Sequence, residues 1–143
     1  MDKKLVVDLF GQLKTVAALK WIDIDFGQLN TPERPAVAFP CALIDVAYPA
    51  CEDSDGNLQL VTATITLRVA FNDFTGRTGA DSPTLNDTLS LFDTLNVIHC
   101  AMQSWTDAGY INPLSRQNAQ VEKRNDGIKV YRIVYQTTFA EEP

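Results

Sequence analysis

Residues 58–71, LQLVTATITLRVAF, constrain the fold more than any other stretch. From Val61 onward the segment alternates. Val61, Ala63, Ile65, Leu67, Val69 and Phe71 fall on one side, and Thr62, Thr64, Thr66 and Arg68 on the other. Successive side chains of a strand leave opposite faces, so this spacing predicts a long strand with one apolar and one wet face. β-branched residues occur on both faces, which suits a pleated surface and opposes a helix. The rest of the chain must cover that apolar face and pair with the strand's two sides.

Other segments supply the parts. Residues 2–19 carry Leu5, Leu9, Leu13, Val16 and Ala17 at helical steps, with Asp2 placed to favour the positive end of a helix dipole. Residues 20–26 (KWIDIDF) alternate as a short strand, charged as an edge strand is expected to be. Residues 36–47 (AVAFPCALIDVA) are apolar on both faces and predict a strand, with an edge position or a bulge at Pro40 because proline cannot donate to a ladder. Residues 48–57 end in Asp55-Gly56, a hairpin signal that makes 58–71 the second arm.

Beyond a polar loop at 72–81, Ser82-Pro83 predicts a helix start, with Thr84 and Asp87 as the other candidate cap. Leu85, Leu89, Phe92, Leu95, Ile98 and Met102 then predict the longest helix, Leu91 widening its stripe. Residues 114–124 and 127–140 predict a second hairpin turning at Asn125-Asp126-Gly127. The expected fold class is α+β: a single mostly antiparallel sheet with two long hairpins, packed by two helices in one domain over 1–143.

At 143 residues, 45% hydrophobic, the chain suits one ordinary domain. A net charge of −6 gives no basic field for nucleic acid. Three cysteines, Cys41, Cys51 and Cys100, form no framework spacing and are expected to be free and mostly buried in a reducing compartment. The first residues, with charges scattered through them, are read as neither a signal peptide nor a membrane span.

No constellation for chemistry emerges. An EF-hand register on residues 51–62 puts Cys51 and Thr62 where carboxylates belong, so it fails and leaves a solvated hairpin tip. His99 and Cys100 are helix neighbours about 100° apart and do not face each other, and a lone histidine supplies no zinc cluster. Asp23 and Asp25 share a strand face without a pocket or a partner to separate their pKa values. The loop at 75–79 lacks the Gly-Lys-Ser/Thr ending of a phosphate loop. No catalytic residue, metal or cofactor is expected.

Taken together, the N-terminal helix, ERPAVAFPCALIDV and its turn, the strand ending TLRVAF, the loop into DSPTLNDTLSLFDTLNVIHCAMQSW and the closing IKVYRIVYQTTF resemble the tail terminator (tail completion) proteins of long-tailed bacteriophages. The resemblance spans nearly the whole chain in length and element order. It implies a non-enzymatic virion protein, made in the host cytoplasm, whose homo-hexameric ring caps the tail tube protein and joins it to the head–tail connector protein. It carries over no catalytic residues. Candidate ring-contact or lumen residues are Glu52, Asp53 and Asp55 in the acidic first hairpin, Arg77 in the loop, and Arg116, Lys123, Arg124 and Arg132 in the second hairpin. DNA passing through the lumen would meet the acidic hairpin without specific binding. A different neck component, or an unrelated small cytosolic binding or enzymatic domain, are the other readings.

Overall fold

The alternating stretch forms the centre of the sheet. In the computed structural model, which describes residues 2–31, 36–72 and 79–143, the chain runs α1 (Lys3–Leu13), β1 (Trp21–Ile24), a short 3-10 helix (Gln28–Asn30), β2 (Cys41–Asp53), β3 (Gln59–Phe71), α2 (Leu85–Met102), β4 (Ser115–Val121) and β5 (Lys129–Glu141). One five-stranded sheet has the order β1-β2-β3-β5-β4. Every pairing is antiparallel except β1 with β2, which is parallel. The fold is α+β, one sheet and two helices, as the pattern predicts.

β3 has β2 on one side and β5 on the other, and its ladder with β5 is unbroken from Gln59↔Glu141 to Phe71↔Lys129. Val61, Ala63, Ile65, Leu67 and Val69 are fully buried. They join Leu5, Leu9 and Leu13 of α1, Leu91, Ile98 and Met102 of α2, and Ile133, Tyr135 and Phe139 of β5 in one cluster. Both helices therefore cover the same face. Among the described residues the opposite face is covered near one end, where Leu29, Cys41, Leu43, Ala70 and Val130 form a smaller cluster with Val37 and Phe39 beside it.

Several boundaries differ from expectation for local reasons. Asp2 caps α1 by accepting the Lys4 N–H (2.9 Å). The helix stops at Leu13, six residues early, because Thr15 donates its hydroxyl to the Gln12 carbonyl (2.6 Å) and the chain continues in three-residue turns. Val16 still reaches the core. β2 begins after Pro40, so that proline is neither inside a strand nor at a bulge. The irregularity falls instead between Ala47 and Ala50, around Pro49, the proline inside this strand, which lacks a donor.

β2 also runs on to Asp53, so the turn shrinks to Ser54–Leu58, with Gly56 at φ 65°. The cap of α2 is Thr84 rather than Ser82. Ser82 forms the turn before it, its carbonyl accepting the Leu85 N–H at 3.2 Å.

α2 shows the largest departure. Leu91, Ile98 and Met102 are buried and Leu95 packs beside them, whereas Leu89 (42% exposed) and Phe92 (46%) face out. The apolar residues of this helix form two stripes, and the sheet takes only one. The thiols depart too: all three are free, but only Cys41 is buried.

Candidate functional surfaces

The sequence-derived candidates do not converge. Glu52, Asp53 and Asp55 are exposed at the β2–β3 tip, beside the end of β5 where Gln59 pairs with Glu141. Lys123 and Arg124 lie in the β4–β5 turn, at the other end of β3, where Phe71 pairs with Lys129. A 13-residue strand spans roughly 40 Å, so the acidic tip and the basic turn sit at opposite ends of the sheet. Arg116 stands at the start of β4 opposite Tyr135, and Arg132 is exposed beside Arg68. Arg77 lies outside the described residues.

Arg124 is taken up by contacts within the chain. Its Nη2 donates to Asp126 (2.6 Å) and to the Leu29 carbonyl, and its Nη1 to Glu122 (3.3 Å). The alternation of β3 gave no sign of what its neighbour in this network does. Arg68, expected on the wet face, is only 9% exposed. Its Nε and Nη2 donate to the two Glu122 oxygens (2.7 and 2.8 Å), its Nη1 to Asp25 (3.4 Å), and Nη2 also to Asn30 (3.2 Å). Hydrogen bonding from Arg68 holds the Glu122 carboxyl below its usual range, and the Arg68 pKa is raised in return. This cluster fastens both rims of the sheet, β1 with its 3-10 helix and the end of β4, to the central strand. Its donors and acceptors satisfy one another, which describes a clamp rather than a reactive site.

A second polar knot holds the N-terminus. Tyr110 donates its hydroxyl to Asp2, whose backbone N–H donates to the Tyr48 hydroxyl (3.3 Å). The Asp2 carboxylate, then burial, pushes the Tyr110 pKa up to about 12. Lys4 bonds Asp8 and Asp107 (3.1 Å) and lies over the Tyr110 ring.

His99 does not meet Cys100. Its Nδ1 lies 2.9 Å from the hydroxyl of the fully buried Tyr135. Desolvation, with the Arg116 charge adding to it, lowers the His99 pKa. Among the described residues no group of three or more His, Cys, Asp or Glu is arranged to hold a metal ion. No helix among them is long and apolar enough to cross a membrane. An open groove of about 600 Å³ beside the hairpin tip is lined by Asp53, Gly56, Leu58, Gln59 and Glu141 among others. Its two carboxylates face it without a nucleophile or a base partner.

Among the described residues, exposed apolar side chains occur on α1 (Val7), near the β2–β3 tip (Leu58, Leu60), on α2 (Val97) and at both rims of the sheet. Trp21, Ile24 and Phe26, the last 77% exposed, line the β1 rim. At the other rim Phe92 packs edge-on against Tyr131 (6.2 Å between ring centres), and Tyr131 pairs with exposed Val121 of β4. No model of a known protein family matches the chain, and a search of curated proteins finds no similar sequence.

Proposed function

We propose that this chain is a structural virion protein, a ring-forming tail terminator that caps the tail tube and joins it to the head connector. The observation that carries the reading is the element order. Helix, short strand, long hairpin, long helix and closing hairpin follow one another in the chain-long pattern on which the tail-terminator resemblance rests. Its polar clusters act as internal clamps, which suits a building block better than a catalyst.

In this reading six copies close head to tail around the tube axis, because a rotationally symmetric tube ends on a ring. Tail tube protein and connector protein bind its two ends, and charged contacts between neighbours weaken with salt. The acidic tip at Glu52, Asp53 and Asp55 faces the lumen, where its like charge lets DNA slide past. A density map of the native particle tests this. Sixfold density for the chain at the head-proximal end of the tail is expected. The chain found elsewhere overturns the reading, and twelvefold packing in the neck replaces it with a connector role.

A further inference from the structure

The smaller cluster on the second face of the sheet is covered by chain that barely shares the sheet's hydrogen bonds. Cys41, Leu43, Ala70 and Val130 lie there with Leu29 of the 3-10 helix, which is 1% exposed, whereas Val37, Phe39 and Ile128 around them are half-buried. The Asp25 N–H donates to the Ile44 carbonyl (2.9 Å), continuing the pairing of β1 with β2. Beyond it, among the described residues, the one backbone–backbone bond of residues 26–30 stays inside the segment, from the Asn30 N–H to the Gly27 carbonyl (3.0 Å). Gln28 ties the segment back to the Ile24 carbonyl of β1 (2.8 Å), not to the strands beneath. What fastens it over β3 and the β4–β5 turn is the Leu29 side chain with Arg68 and Arg124.

The two arginines converge on shared acceptors. Asn30 Oδ1 accepts from Arg68 Nη2 (3.2 Å) and Arg124 Nη1 (3.4 Å), and Glu122 Oε2 accepts from the same two nitrogens (2.8 and 3.3 Å). Two guanidinium groups held this close repel unless a negative charge lies between them, and Glu122 is that charge. Asp25 and Asp126 each reach one arginine from the outer side, at 3.4 and 2.6 Å. Arg132, opposite Arg68 on β5, adds a further positive charge to this face, and Asp45 stands two residues along β2 from Leu43, the other partner of Arg68.

We propose that residues 26–30 form a strap, latched shut by Arg68 and Arg124 across Glu122, and that loss of the Glu122 charge releases it and uncovers Cys41. Without that charge Arg68, only 9% exposed, keeps a single carboxylate at 3.4 Å, and a buried cation so poorly matched is costly. Lifting the strap lets water reach both guanidinium groups and relieves that cost. Protonation of Glu122 in acid removes the same charge. The ladders of β3 with β2 and β5 do not pass through the strap, so the sheet stays closed while the strap opens. The strap follows from contacts within this chain and stands apart from the tail-terminator reading.

Thiol labelling of the full chain tests the latch. In a background carrying Cys51→Ser and Cys100→Ser, a maleimide near neutral pH reads Cys41 alone. Glu122→Gln, which mimics the protonated carboxyl, is expected to raise the Cys41 labelling rate about tenfold or more without denaturant, and Leu29→Ala to do the same. Ile65→Ala weakens the whole fold from the opposite face and leaves the strap intact, so its Cys41 is expected to react about tenfold more slowly than in Glu122→Gln. Amide exchange across residues 59–71 is expected to stay slow in Glu122→Gln. Three results overturn the proposal: Cys41 still protected in Glu122→Gln, Cys41 reacting as fast in Ile65→Ala, or residues 59–71 losing protection together with Cys41.

Discussion

Arg68 and Glu122 form a two-pronged ion pair, Nε to Oε1 at 2.7 Å and Nη2 to Oε2 at 2.8 Å, across 54 residues of sequence. The pair ties the central strand to the residue that follows β4. Glu122 has its folded pKa lowered from 4.5, chiefly by the Arg68 hydrogen bonds. The stabilisation it gives is therefore complete above about pH 4.5 and is lost as pH falls through that value toward the folded one. Glu122→Gln is expected to cost about 1–3 kcal/mol near neutrality, the range for hydrogen bonds to charged groups at a partly exposed site. Urea denaturation from pH 7 to 3 should show a shallower acid loss in the variant than in the wild type.

The core face of β3 gives a larger effect. Ile65 and Leu67 are both fully buried in the main cluster. Either one changed to Ala is expected to lose about 2–5 kcal/mol, the transfer and cavity cost of a large aliphatic side chain. Thr64→Ala, on the uncovered face, should move the urea midpoint far less.

The single histidine gives a clean pH probe. Desolvation, then Arg116, lowers the His99 pKa from 6.5. As pH falls below 6.5 the unfolded chain takes up the proton first, so stability declines from there until the folded value is passed. The imidazole resonance should titrate with a midpoint below 6.5, and Arg116→Gln should raise that midpoint. His99→Gln should flatten the stability profile between pH 7 and 5.

Thiol labelling should divide the cysteines. Cys51 and Cys100 are exposed, while Cys41 is buried with its pKa pushed by burial up to about 11. A maleimide applied to the folded protein is expected to modify Cys51 and Cys100 and spare Cys41 until denaturant is added. Peptide mass mapping reads the result.

The alternation of residues 58–71 made the central strand, its hairpin partner and the helix-covered face legible, because period-two patterning belongs to the backbone itself. The same logic failed at α2. There Leu85, Leu89 and Phe92 share a stripe with Leu95 in sequence, and only the sheet's position decides which stripe is buried. Arg68 was assigned to the wet face by alternation, correctly as to direction. Its burial depends on Glu122, Asp25 and Asn30, brought in by distant segments. The parallel sense of β1 was equally hidden, since direction is set by the path between strands and not by residue type. The charged candidates were grouped by sign alone, and the strand length then set the acidic tip and the basic turn at opposite ends.

The ladders on the two sides of β3, continuous against β5 and interrupted against β2 between Ala47 and Ala50, also decide where this molecule can yield. A strand hydrogen-bonded to neighbours on both sides gives up its amide protons only when large parts of the sheet open. β1 and the wholly exposed β4 are each bound on one side, so they can open while the centre stays shut. Stiffness is thus graded from spine to margins, and the margins can shift without loosening the middle.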